Sequence, residues 1–183
     1  MAPTAAGKLQ KRLEGVQVIL VTPFNEEGNP HIDGIRQLTR CLVDRGIREG
    51  TGVLVTLGSM SECFSVDLEE RKEIIRAVVE EAGGQVPVVV GCNGTDTRTV
   101  IRLCESAQKD GADGVLVMPP YYFVPSNQEI LQFYSPGPGG QVDSSQRRGT
   151  ALGAAGDSGW IQRILYSSRE FRTRAGLAVV ASV

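Results

Sequence analysis

The chain has 183 residues, 41% hydrophobic and 22% charged, enough for one domain with a buried core. Its formal net charge of -2 at pH 7 gives no electrostatic reason to expect nucleic acid or a membrane surface as a partner. No apolar run is long enough to span a bilayer, and the first residues lack the charged start and apolar stretch of a secretory signal; the cytoplasm is the expected location.

Residues 1–13, with Lys8, Lys11 and Arg12, read as a mobile or loosely docked arm. A first strand is expected over Val18–Phe24, ending in Thr22-Pro23-Phe24, and Asn25–Pro30 is a turn-rich loop. Asp33 is a candidate cap for a helix over Gly34–Arg45, with Ile35, Leu38, Leu42 and Val43 as its apolar positions. The second strand, Gly52–Gly58, runs into Gly58-Ser59-Met60-Ser61-Glu62. Asp67 and Glu70 then have capping-box spacing ahead of an apolar stripe of Ile74, Ile75, Val78 and Val79, and Gly83-Gly84 stops that helix. A third strand over Val86–Cys92 leads to a helix from near Asp96 to Gly111 that carries Val100, Ile101 and Cys104. A fourth strand, Gly114–Pro120, precedes a fourth helix that starts around Ser126-Asn127 and carries Ile130, Leu131 and Phe133.

Strands of near-continuous apolar character that alternate with helices every ~30 residues argue for a parallel sheet covered by helices. Two architectures fit, an open doubly wound sheet or part of a (β/α)8 barrel. In both, chemistry sits where strands hand over to helices, at their C-terminal ends. After Tyr134 the pattern dissolves. Residues 135–183 hold eight glycines, six arginines, three acids and no lysine, with no strand-like run before Leu177–Ala181. That shift fits a frame change, an alternative exon or a wrongly assembled gene better than a second domain; the other reading is a flexible extension with one short helix around Trp160–Tyr166. The expected organisation is an arm over 1–13, a partial βα-barrel domain over 14–134 and an irregular tail over 135–183.

The four cysteines, Cys41, Cys63, Cys92 and Cys104, have no CxxC or zinc-like spacing and read as free thiols packing like small hydrophobes. With one histidine, His31, there is no basis for a histidine-built metal site, and no cofactor is expected. No phosphate-loop or dinucleotide glycine fingerprint appears, which argues against a nucleotide enzyme. The loop Gly58–Glu62 offers backbone N–H groups and hydroxyls suited to a small carboxylate, although its spacing alone favours a plain turn with Gly58 for close packing. Tyr121-Tyr122, after Pro119-Pro120, suits either a proton relay or an oligomer interface. Glu62 is a candidate base or a helix-start residue, and Asn93-Gly94 a possible turn.

In order along the chain, these blocks resemble the dihydrodipicolinate synthase / N-acetylneuraminate lyase family. The residues that carry the resemblance are Thr22-Pro23-Phe24, Gly28 with Ile32-Asp33, Gly58-Ser59-Met60-Ser61-Glu62, Leu68-Glu69-Glu70-Arg71, Val88-Val89-Val90-Gly91 and Gly111 through Tyr122. The resemblance covers residues 14–134. It implies a (β/α)8 barrel, usually a homotetramer, running class I aldolase chemistry on pyruvate-type 2-oxo acids or sugar acids. It also implies a strand-six lysine that forms a Schiff base, a strand-five tyrosine that shuttles protons, and a relay completed by a loop hydroxyl and a tyrosine from the adjacent subunit. By that resemblance Ser59 is the relay hydroxyl and a substrate-binding residue, Met60 binds the carboxylate through its amide, and Tyr122 is the tyrosine donated across the interface.

One part of the pattern is missing. Lysine occurs only at Lys8, Lys11, Lys72 and Lys109, none of them beyond the fourth strand. Tyr134 comes too early for the strand-five tyrosine, and Tyr166 has the wrong neighbours. The chain is therefore expected to be a truncated lyase-family member without activity. The alternative is a non-catalytic module that pairs with full-length homologues through the Tyr121-Tyr122 edge. A half barrel would leave its first and fourth strands as open edges, so the isolated chain is expected to be partly molten or aggregation-prone unless it pairs with another copy or a full-length sibling.

Overall fold

The computed structural model describes residues 11–122 together with Val124, Ser126, Phe133 and residues 179–182. Four strands, β1 (Val16–Ile19), β2 (Gly52–Thr56), β3 (Val88–Gly91) and β4 (Gly114–Val117), alternate with α1 (Ile32–Asp44), α2 (Leu68–Ala82) and α3 (Thr97–Lys109). The strands pair in parallel and lie side by side in chain order. A doubly wound sheet reverses its strand order, so this single direction of winding leaves the partial barrel as the architecture.

The tail departs from expectation. A fifth strand, β5 (Val179–Ser182), pairs antiparallel with β4, setting Gly114 against Ser182 and Val117 against Val179. The fourth strand is therefore not the open edge that the half-barrel reading gives it. β5 takes the side of β4 on which a next parallel strand would lie. The expected fourth helix falls outside the described residues except for Ser126, at its expected start and not helical, and Phe133, which is helical and packs against the main core. The helix expected around Trp160–Tyr166 also lies outside them.

Helix starts follow from local chemistry. Asp67 caps α2 by accepting from the Glu69 and Glu70 amides at 2.9 Å, while the Glu70 side chain takes the Asp67 amide at 2.7 Å. Replacing Asp67 with alanine is expected to cost about 1 kcal/mol of stability, read as a lower urea midpoint. Asp96 caps α3 by accepting from the Thr99 amide, and its hydrogen bonds to Thr99 hold the carboxyl below its ordinary pKa. At α1 the expectation is wrong: the helix starts two residues early, with His31 at the cap and no side-chain cap bond. Asp33 lies in the first turn instead, where its charge still favours the positive end of the helix.

β1 also begins earlier than Val18. The Val16 amide reaches the Thr51 carbonyl at 3.0 Å, and after Leu20 the chain turns through Pro23 to a bridge between Phe24 and Pro30. The end of the arm is docked rather than loose. Arg12 bonds Glu49 and Asp113, each at 2.8 Å, and Asp113 also accepts from the Val88 amide.

Two apolar layers follow from strand alternation. Leu20, Leu54, Val88, Val90 and Val115 pack against the helices with Ile35, Ile74 and Val78, while Val53, Val55 and Val89 form a second buried cluster on the other face with Leu13 and Leu116. Cys63, Cys92 and Cys104 are buried free thiols, and burial pushes the Cys92 thiol well above its ordinary pKa, with a hydrogen bond to Cys104 adding to the rise. A buried thiol held protonated is a poor nucleophile. No helix among the described residues is long and apolar enough to cross a membrane.

Candidate functional site

The C-terminal ends of the strands are tied into one polar frame by side chains that are far apart in sequence. After β1, buried Thr22 donates its hydroxyl to the Ser61 carbonyl at 2.7 Å, and the Ser61 hydroxyl donates to the Leu20 carbonyl. The loop after β2 is thus pinned to the loop after β1 by reciprocal bonds. Arg71, from the first turn of α2 and only 6% exposed, donates to the Cys63 carbonyl at 2.7 Å and to the Gly91 carbonyl at 2.8 Å. Its guanidinium locks the β2 loop to the end of β3. Asn93 completes the frame: its Oδ1 accepts from the Met118 amide at 3.0 Å, and its Nδ2 lies 3.8 Å from the Cys63 sulfur.

Backbone strain is concentrated in the same loop. Leu57 and Glu62, on either side of Gly58–Ser61, have left-handed φ values of 55° and 53°. Such a conformation costs a non-glycine residue about 1–3 kcal/mol and persists only where the surroundings enforce it. Leu57 is completely buried, and its carbonyl lies against Gly91, where an added Cβ would stand 1.9 Å from the oxygen. The expected packing role for Gly58 belongs to Gly91. A Cβ on Gly58 would meet nothing nearer than 3.9 Å, and its φ of -73° suits any residue.

The frame presents a short 3-10 turn, Ser59–Ser61. Ser59 and Met60 are exposed, and neither their amides nor the Ser59 hydroxyl donates to any group among the described residues. Ser61 is different: its side chain points into the frame, so the serine at that position holds the loop rather than facing solvent. Glu62 is exposed and closes the turn, its amide donating to the Ser59 carbonyl at 3.2 Å.

Tyr121 packs against Phe64 with ring centroids 5.0 Å apart and planes tilted by 55°, which joins the segment after β4 to the loop after β2. Tyr122 stands beside it, 83% exposed. The structure therefore places Ser59 and Met60 together on one turn and Tyr122 on a neighbouring segment. No cluster of metal-ligating side chains occurs among the described residues.

Sequence reasoning missed the residues that hold the turn. Arg71 does carry a signal, since it lies three and four positions before Ile74 and Ile75 and so falls on their buried stripe. A charge in that stripe requires partners. The Thr22–Ser61 and Asn93–Met118 bonds carry none, because they join residues 39 and 25 positions apart.

Parallel strands in chain order, with exposed chemistry at their C-terminal ends, define a βα-barrel type of protein. The sequence model of the Dihydrodipicolinate synthetase family matches residues 12–136, and the chain belongs to that family. It is 35% identical over 122 residues to the 4-hydroxy-tetrahydrodipicolinate synthase of Pseudomonas aeruginosa, covering 67% of this chain and 40% of that one. To the enzyme of the same name from Leptothrix cholodnii it is 42% identical over 120 residues, or 66% and 40%. The solved dihydrodipicolinate synthase of Thermotoga maritima superposes with a TM-score of 0.62 at 32% identity, covering 67% of this chain and 40% of that structure. A chloride-inhibited dihydrodipicolinate synthase from Acinetobacter baumannii, solved with pyruvate, gives 0.62 at 27% identity over 67% and 40%. The chain thus spans about 40% of the length of the relatives it matches.

Proposed function

We propose that this chain carries the carboxylate-holding wall of a 2-oxo-acid pocket and does not itself form the covalent adduct on which Schiff-base lyases depend. The observation that carries the first half is the Ser59–Ser61 turn, where two amides and a hydroxyl donate to no group among the described residues, on a loop whose backbone is fixed from behind. Undonated N–H groups in a preorganised turn suit a small carboxylate such as that of pyruvate. Ser59 is assigned as relay hydroxyl and substrate contact, the Met60 amide as substrate contact and Tyr122 as the tyrosine that completes a relay.

The second half rests on where the amines lie. Lys72 is on α2 and paired with Glu69 at 2.7 Å, Lys109 ends α3, and Lys11 precedes β1. None lies at the C-terminal end of a described strand, where an ε-amino group would have to attack a bound ketone. Incubation with pyruvate and borohydride is expected to leave the intact mass unchanged. A stable gain equal to one reduced pyruvyl group would show that a lysine of this chain loses water with the ketone to form an iminium, and the inactivity reading would fall.

A second reading has its own observation. Met60, Phe64, Tyr121 and Tyr122 are large, exposed apolar or aromatic side chains at the same end of the sheet. Exposed patches of this kind suit protein contact. On this reading the chain is a non-catalytic module that docks on full-length homologues, and co-purification with such a homologue, lost in a Tyr121→Ser/Tyr122→Ser variant, is the result that supports it.

A further inference from the structure

We propose that Asn93 is a positioning residue that couples the Ser59–Ser61 turn to the Tyr121-Tyr122 segment, so that a 2-oxo acid held by its carboxylate on the turn is felt at the tyrosines. The proposal rests on the reading of the Ser59 and Met60 amides as carboxylate contacts. Asn93 is 6% exposed and stands two residues beyond the end of β3. Its carboxamide is engaged at both ends, Oδ1 by the Met118 amide at 3.0 Å and Nδ2 by the Cys63 sulfur at 3.8 Å. A backbone amide can only donate, so the oxygen faces Met118 and the amino group faces the sulfur. A buried carboxamide engaged on both sides acts through the groups it holds.

Each arm of Asn93 leads to one half of the candidate site. Met118 directly follows β4, and Pro119 and Pro120, which have no N–H, come next. The Met118 amide is therefore the last backbone donor before Tyr121. The proline pair fixes two φ angles, so the direction set at Met118 carries to Tyr121 with little slack. On the other arm, buried Cys63 closes the turn: its amide reaches the Gly58 carbonyl at 3.4 Å, and the same carbonyl accepts from the Ser61 amide at 3.1 Å.

The two arms meet again at their far ends, because Phe64, next to Cys63, packs against Tyr121. The contacts form a closed circuit: from Asn93 to Met118, through the two prolines to Tyr121, across to Phe64, and back through Cys63 to Asn93. Displacement of one member is passed to the others, so a carboxylate that shifts the turn also shifts the tyrosine segment. Asn93 is the member that a single substitution can remove. Leucine has a similar volume and no acceptor, which leaves the Met118 amide short of its partner. Aspartate keeps the acceptor and loses only the weak N–H to sulfur contact.

Titration of the isotope-labelled full chain with pyruvate, followed through amide NMR shifts, tests this. In wild type the Ser59, Met60, Tyr121 and Tyr122 amides are expected to move together and to give the same dissociation constant. Asn93→Leu and Asn93→Ala delete the acceptor with and without its volume. Each is expected to weaken pyruvate binding about tenfold and to abolish the response at Tyr121 and Tyr122. Asn93→Asp is expected to stay within about threefold of wild type and to keep that response. Asp67→Ala removes a helix cap outside the circuit and is expected to bind pyruvate as wild type does, which separates coupling from stability alone. Thermal unfolding confirms that each variant remains folded. Absence of any wild-type shift at Ser59 and Met60 would bring down the carboxylate reading beneath the proposal. The coupling assigned to Asn93 would fall alone, with that reading intact, on any of four results: wild-type binding without a tyrosine response, acceptor-deleted variants that bind and respond like wild type, Asn93→Asp failing as they do, or Asp67→Ala weakening binding as much.

Discussion

Replacing Arg71 with alanine is expected to destabilise the chain by about 3 kcal/mol, seen as a lower urea midpoint with little change in slope. The buried guanidinium makes two charge-assisted hydrogen bonds to carbonyls on different strand ends, Cys63 and Gly91. Truncation deletes both donors and leaves two carbonyls short of a partner in a region closed to water. Each such bond contributes about 1.5–3 kcal/mol, and a domain of this size has about 5–15 kcal/mol in all, so the loss is a large share of the total. Arg71→Lys supplies one point donor in place of a planar fork and is expected to recover about half. The site reports the same event, since release of the Cys63 carbonyl frees the segment just beyond Ser59–Ser61. If the Arg71→Ala midpoint moved no further than that of Asp67→Ala, the two carbonyl bonds would not be what fixes the loop.

The parts of this fold that depend on near neighbours were readable, and those that depend on distant ones were not. The capping box at Asp67 and Glu70 is written within four residues, and its reciprocal bonds form as the spacing requires. Apolar runs located β2, β3 and β4 to within a few residues, because a strand buried on both faces has no polar positions to blur it. Chain-order winding, by contrast, is a property of the whole sheet, and periodicity left it open against a doubly wound arrangement. β5 shows in the sequence only as a short apolar run, and nothing local says that it pairs antiparallel with a strand more than sixty positions earlier. At the candidate site, the position of Ser59 and Met60 on a short loop is legible, because that loop lies between two readable elements. The frame behind them was not: Thr22, Ser61, Arg71 and Asn93 act across loops, through bonds that a linear pattern does not record.

The exchange of roles between Gly58 and Gly91 gives the other large expected effect. Gly91→Ala would set a methyl group 1.9 Å from the Leu57 oxygen and 2.5 Å from its carbonyl carbon, and both atoms are backbone. Leu57 cannot step aside cheaply, because its side chain is fully buried and its φ of 55° already sits in a strained region. The least costly relief moves the end of β3, which withdraws the Gly91 carbonyl from Arg71. The expected loss is about 3 kcal/mol or more, at the upper end of overpacking penalties, with amide NMR shifts spreading to Ser59 and Met60. Two substitutions control for added volume alone. Gly58→Ala meets only ordinary contacts at 3.9 Å and is expected to stay within about 0.5 kcal/mol of wild type. Gly94→Ala approaches side-chain methyl groups of Thr99 and Val100 at 3.3 Å, which can yield, and is expected to fall between the other two. The reverse ranking, with Gly58→Ala the most damaging, would place the tight backbone contact in the loop itself and remove the reason for treating Ser59 and Met60 as a turn held from behind.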